Sequence, residues 1–195
     1  MTVPSGAGLL PAKRATNSLN GGAWLAKVSI QDPQLTNRDV VEESLTLAVL
    51  QYVGDAGYFA RVNPLPGKPR AGDYLLRIVV DRYRQERSVH PAYFPAAFFT
   101  LTFYIWFGGP IVRDSIDLAG TLTVETADGT RLTEVTDSRR ERHNVSIWSP
   151  QYVLPSGIQG RTEFFEALLD KAVVQLRGLR QSDDPMRGDE GRNQR

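Results

Sequence analysis

Twenty-two consecutive residues without a charge, PAYFPAAFFTLTFYIWFGGPIV from Pro91 to Val112, interrupt a chain in which 23% of the residues are charged. Such a run must be surrounded by lipid, by protein core or by a partner, and each environment demands a different fold. A membrane-spanning helix needs about 20 apolar residues. Pro91, Pro95 and the Gly108-Gly109-Pro110 break leave only Ala96 to Phe107 as an uninterrupted run. That run is short for a span and rich in β-forming residues, which argues against the span.

Two readings remain. The alternation of Phe99, Leu101, Phe103, Ile105 and Phe107 with Thr100, Thr102, Tyr104 and Trp106 makes a core strand buried on one face the default. A core strand does not, however, need Tyr83, Tyr93, Phe94, Tyr104, Trp106 and Phe107 gathered at its ends. Tyr and Trp favour the water–lipid boundary, and contiguous apolar surface marks an interface. The third environment is therefore an exposed loop or hairpin end, with Phe94, Phe98, Phe99, Tyr104, Trp106 and Phe107 as candidate membrane or partner contacts.

The rest of the chain sets the frame for this stretch. Residues 1–22, rich in Gly, Ser, Asn and Pro, read as a flexible leader or tether, and residues 179–195 as a disordered tail of mixed charge. Between them, residues 23–178 form a single domain. AWLAKVSI alternates as a first strand, with Trp24, Ala26, Val28 and Ile30 on one face. TNRDVVEESLTLAVLQYVGDAG is an amphipathic helix with a Thr36-x-x-Asp39 start, an apolar face of Val41, Leu45, Ala48, Val49 and Tyr52, and a stop at Gly54. YFARVN is a short strand, and DYLLRIVVDRYRQERS a long one that turns polar.

Beyond the apolar stretch, Ile116, Leu118, Leu122 and Val124 are in phase before a turn at Asp128-Gly129. The parity change between Leu132 and Val135 predicts a bulge or a short return pairing in the second arm of that hairpin. Thr162 opens a last helix with a stripe of Phe164, Leu168, Leu169, Ala172, Val173 and Leu176. Segregated strands with two amphipathic helices predict an α+β two-layer sandwich, its sheet mostly antiparallel and both helices on one face.

Composition narrows the function classes. A net charge of +1 gives no bulk attraction to nucleic acid. The absence of cysteine and the presence of only His90 and His143 exclude thiolate chemistry and disfavour a histidine-built metal site. No nucleophile elbow, zinc-protease helix or phosphate-binding glycine loop occurs, so neither catalysis nor a cofactor is expected. Asp39, Glu42 and Glu43 read as first-turn acids that compensate the helix dipole at the surface. Arg139, Arg140, Arg142 and His143 form the only dense basic run, a candidate anion contact partly neutralised by Asp137 and Glu141. A solvated strand end is the plainer reading of that run.

The long DYLLRIVVDRY strand, the aromatic-rich apolar segment, the IDLAGTLTVETADGTRLTE hairpin and the final amphipathic helix resemble small lipoproteins of the Gram-negative envelope. Their order looks like the fold shared by the curli-secretion lipoprotein, the lipoprotein of Pel polysaccharide export, penicillin-binding-protein activator lipoproteins and the TolB amino-terminal domain. The likeness spans about residues 23–178 and is one of element order, without a diagnostic motif. It implies a periplasmic, outer-membrane-anchored and non-catalytic role in an envelope assembly, as a homo-oligomeric ring or docking module, in secretion, export or envelope biogenesis. The chain departs from those lipoproteins in having no cysteine to acylate. Residues 1–22 contain no secretory signal. Either a signal and lipobox stand ahead of Met1, or the protein is not acylated. The rival reading is a soluble module that binds an apolar ligand or a polysaccharide in a cavity lined by the same aromatics.

Overall fold

The structure, a computed structural model, describes residues 8–100, 103–150 and 156–182. Its elements run β1 (Leu19–Leu25), β2 (Ser29–Ile30), α1 (Arg38–Ala56), β3 (Phe59–Pro64), β4 (Tyr74–Val89), α2 (Tyr93–Phe99), α3 (Phe103–Trp106), β5 (Val112–Thr126), β6 (Arg131–Val145) and α4 (Ser156–Ser182). The sheet has the order β3-β1-β4-β5-β6, with β2 pairing β4 beyond the end of β1. β1 runs parallel to β3 and β4, whereas the long pairs β4–β5 and β5–β6 are antiparallel. The architecture is of the expected α+β class with a mostly antiparallel sheet, and the sheet is open.

One face of the sheet carries the core. Tyr74, Leu76, Ile78 and Val80 of β4 and Ile116, Leu118, Leu122 and Val124 of β5 are buried. They share a cluster with Leu45, Val49, Tyr52 and Val53 of α1 and with Phe164, Phe165, Leu168, Leu169, Ala172, Val173 and Leu176 of α4. Period-two strands and 3.6-period helices present these side chains to the same layer, as the sequence predicts.

The hairpin also follows the sequence. Thr126 N–H donates to Thr130 O across the Asp128-Gly129 turn, where Gly129 has φ +88°. Register passes from Val124↔Thr133 to Glu125↔Arg131, which leaves Leu132 as the extra residue of the bulge that the parity change announces. A second bulge in β4, where Val80↔Gly120 gives way to Arg82↔Ala119, shifts the core face from even to odd residues, so that Tyr83 is buried.

Several boundaries differ from expectation. The first strand divides in two: Ala23 and Leu25 face the core in β1, Val28 and Ile30 do so around β2, and Trp24 lies on the opposite face, donating from its indole to Asp73. α1 passes through Gly54 and stops at Gly57, whose φ of +73° ends the helix in the left-handed region; it begins after Asn37 without a side-chain cap. Glu42 is not a surface acid. Its carboxylate is buried, accepts from Ile30 N–H at 2.8 Å and pairs with Lys27 at 2.9 Å, stitching α1 to β2. Burial pushes this carboxyl up, but the Ile30 N–H and the Lys27 ammonium outweigh it and hold it below its ordinary value.

The expected leader ends earlier than residue 22. Leu9, Ala12 and Ala15 pack on the core, Ala15 N–H donates to Ala56 O, and β1 starts at Leu19. The final helix starts at Ser156, six residues ahead of Thr162. Thr162 is therefore no cap: its hydroxyl donates back to Ile158 O and accepts from Leu10 N–H. One residue earlier Arg161 is fully buried, donating to Gln85 Oε1 at 2.6 Å, to Gly8 O at 3.0 Å and to Tyr83 Oη at 3.4 Å. A polar tie thus fastens the start of α4 to β4 and to the amino-terminal segment. The helix continues past residue 178, so the expected tail begins later than 179, and its residues 183–195 lie outside those described.

Candidate functional site

β4 and β5 pair without a gap up to Val89↔Val112, and beyond that rung stands the charge-free stretch. His90 N–H donates to Ile111 O, and Ile111 N–H to Val145 O, closing the base of the excursion. Among its described residues neither a core strand nor a membrane-spanning helix forms. The described residues fold into two short helices, α2 and α3, while Leu101 and Thr102 of the expected alternation lie outside the described residues. Pro91 and Pro95 have no N–H with which to continue the β4 ladder, and Gly108-Gly109-Pro110 interrupts it on the β5 side, so the paired strands stop at Val89 and Val112.

Local chemistry sets the helices. Thr100 ends α2 by donating its hydroxyl to Ala96 O, and the same oxygen accepts from Tyr104 N–H at the head of α3. Gly108, at φ +83°, ends α3 in a conformation that a side chain would strain. A Cβ on Gly109 would fall 2.4 Å from the Tyr104 ring, so glycine is what lets that ring fold down over the backbone.

Burial then inverts the usual rule. Phe98, Phe99 and Phe107 are 79%, 82% and 87% exposed, and Phe94, Phe103 and Trp106 are exposed as well. Trp148 joins them from the turn after β6, its ring 6.3 Å from that of Trp106. Neighbouring rings pair edge-on or tilted, Tyr93 with Phe94 at 5.2 Å, Phe98 with Phe99 at 5.7 Å and Phe103 with Phe107 at 6.4 Å.

Of the six candidate contacts named from sequence, five are exposed in the crown. Tyr104 is the exception: half-buried, it turns back and donates to Pro110 O at 3.4 Å. Phe103 and Trp148 are exposed beside those five without being among the six: Phe103 lies between the ends where the aromatics gather, and Trp148 is remote in sequence from the stretch. The exposed crown aromatics project into solvent. No helix among the described residues is long and apolar enough to cross a membrane.

Strand alternation separates the basic run. Arg139 points to the helix side and pairs with Glu141 at 2.6 Å and with Glu163 of α4. Burial pushes the Glu141 carboxyl up, but the His143 ring and the Arg139 guanidinium hold it below the ordinary carboxylate range. Arg140 and Arg142 lie on the opposite, outer face, both exposed. They border a shallow cavity of about 170 Å³ that also touches Arg84, Glu86, Ser115 and Asp117. Among the described residues no group of three or more His, Asp and Glu could hold a metal ion.

No family model matches the sequence, and no curated protein matches it. The chain is similar in fold to protein XCC0632 from Xanthomonas campestris, of the family DUF330, with a TM-score of 0.57 at 13% identity over 90% of this chain and 95% of that one. Weaker likenesses are to the PelC dodecamer from Paraburkholderia phytofirmans (TM-score 0.47, 12% identity, 82% of this chain and 91% of that one) and to lipoprotein GNA1162 from Neisseria meningitidis (0.37, 14%, 81% and 99%). The Xanthomonas protein shows a shared fold; the other two lie below the similarity at which fold is argued.

Proposed function

We propose that the protein is a non-catalytic component of the bacterial cell envelope that attaches to a membrane surface through the aromatic crown. One observation carries this reading: Phe94, Phe98, Phe99, Phe103, Trp106, Phe107 and Trp148 are all exposed at one end of the sheet, on and beside a stretch with no charge. Scattered surface phenylalanines need no explanation, but a contiguous group of this size on a water-facing surface costs solubility and marks an interface. Phe and Trp suit the headgroup–acyl boundary, where short helices lie flat with their apolar side chains inserted about 5–10 Å. The reading extends to a periplasmic, lipoprotein-like role in export or envelope biogenesis, with self-association or an envelope protein as further partner. The element order of the sequence supports that extension.

Flotation with phosphatidylcholine vesicles tests the attachment. The protein should rise with the vesicles, and the triple variant Phe98→Ser, Phe99→Ser, Phe107→Ser should lose more than about tenfold in partitioning, since each change withdraws a large apolar side chain from lipid. Circular dichroism should show both equally folded. A folded wild type that stays at the bottom of the gradient removes the reading.

A further inference from the structure

Beside the crown, the outer face of β4, β5 and β6 carries charge arranged by rung. Ser88, Arg113 and Asn144 form the outward-facing rung nearest the crown, Glu86, Ser115 and Arg142 the next but one, and Arg84, Asp117 and Arg140 the one two further down. Residues between them point to the helix side. These three rungs hold four arginines against two carboxylates, two net positive charges on a patch of a chain whose total is +1.

The carboxylates do not satisfy the cations evenly. Asp117 pairs with Arg82 at 3.6 Å, and Arg84 is drawn aside to the buried Asp32 at 3.3 Å. Among the described residues Arg140 and Arg142 have no ion pair, and Arg113 has only a neutral contact to Asn144 Oδ1 at 3.4 Å. Arg139, the arginine of the basic run that turns to the helix side, is ion-paired with Glu141 and Glu163.

Depth matches the crown. Arg113 follows the first residue of β5, and Arg142 is three residues before the end of β6, about 10 Å from the crown's base at the rise of an extended strand. With the crown inserted in the acyl boundary, these guanidinium groups lie at the depth of lipid phosphates, which Arg binds through paired N–H donors.

We infer that this outer face, through Arg113, Arg140 and Arg142, binds the phosphates of anionic lipid headgroups, so that the protein selects negatively charged membranes. The inference rests on the crown as membrane anchor and supplies what the crown lacks, a preference among lipids. Charge complementarity and continuity with the crown favour a lipid surface over a protein partner here.

The test compares flotation on phosphatidylcholine vesicles with flotation on vesicles containing about one third phosphatidylglycerol, using the full chain. Wild type should bind the anionic vesicles more tightly. The preference should shrink as NaCl rises from about 0.05 to about 0.5 M, and fall about fivefold for each of Arg113→Gln, Arg140→Gln and Arg142→Gln. Binding to neutral vesicles should be unchanged, Arg142→Lys should keep most of the preference, and thermal melts should confirm that the variants are folded.

Equal binding of wild type to both vesicles, or a triple glutamine variant that keeps the preference, overturns the inference while the crown reading survives through binding to neutral vesicles. Wild type absent from both gradients removes both. If inorganic phosphate at matched ionic strength displaces the protein more effectively than chloride does, the ligand is a soluble phosphate and the lipid inference falls.

Discussion

Two aromatic-rich regions of this chain meet opposite fates. In the lower part of the sheet Tyr58, Tyr74, Phe164 and Phe165 are buried, whereas in the crown Phe98, Phe99 and Phe107 are almost wholly exposed. Hydrophobicity is no lower in the crown; what differs is the layer above it. α1 and α4 close over the lower sheet and share one core, while α2 and α3 are of seven and four residues and bury none of their own side chains. Apolar sequence therefore states a demand for cover, and topology decides whether this chain meets it or a surface outside it does.

The comparison is easiest to break from the core side. Phe164→Ala should cost about 3–5 kcal/mol of unfolding free energy, measured by urea denaturation, because the ring is buried between α4 and the sheet and leaves a cavity. A loss below about 1 kcal/mol would mean that the lower region is no better packed than the crown.

The seam between the two regions is polar and responds to pH. Past β2 the edge of β4 is held by Asp32, whose buried carboxylate accepts from Tyr83 N–H at 3.1 Å, from Gln34 N–H at 3.0 Å and from Arg84 Nε at 3.3 Å. Burial raises this carboxyl, but the two N–H donors and the guanidinium prevail and hold it below its ordinary value. At the opposite end of β4, away from the crown, Asp73 is likewise held down by the Arg70 N–H and the Trp24 indole, and burial only partly opposes them. A carboxyl lowered in the folded state contributes stability that is complete above its unfolded value near 4 and is lost as pH falls through the folded value. Stability should accordingly decline on acidification below about pH 4. Asp32→Asn should cost about 1–3 kcal/mol at neutral pH and flatten that decline, as followed by denaturant titrations across pH. An unchanged acid slope in the variant would show that Asp32 does not hold the seam.

The smallest effect is the most telling. Each of Phe98→Ser, Phe99→Ser and Phe107→Ser should change stability by less than about 0.5 kcal/mol, although the residue type is the same as at Phe164. A loss of several kcal/mol on any of them would place the crown inside the cooperative core and remove the contrast.

Much of this was legible beforehand. The α4 stripe, the even-residue face of β4, the hairpin at Asp128-Gly129 and the Leu132 bulge all follow from periodicities that a few adjacent residues carry. The exposed reading of the crown came from aromatics gathered at its ends, against an alternation that favoured a strand. The misplaced pieces were the starts and stops, such as Gly54 for Gly57 and Thr162 for Ser156, where tertiary contacts outweigh capping preference.

By itself the sequence determined which segments alternate, which wind, and that residues 91–112 carry no charge, since those properties are local. Only the tertiary structure decided that this stretch becomes a helical crown, that Arg139 turns to the helices while Arg140 and Arg142 face outward, and that Trp148 stands beside Trp106. Cover is a property of the assembled layers and not of a local pattern: α1 and α4 pack over the lower sheet, while among the described residues Phe98, Phe99 and Phe107 are left almost wholly exposed.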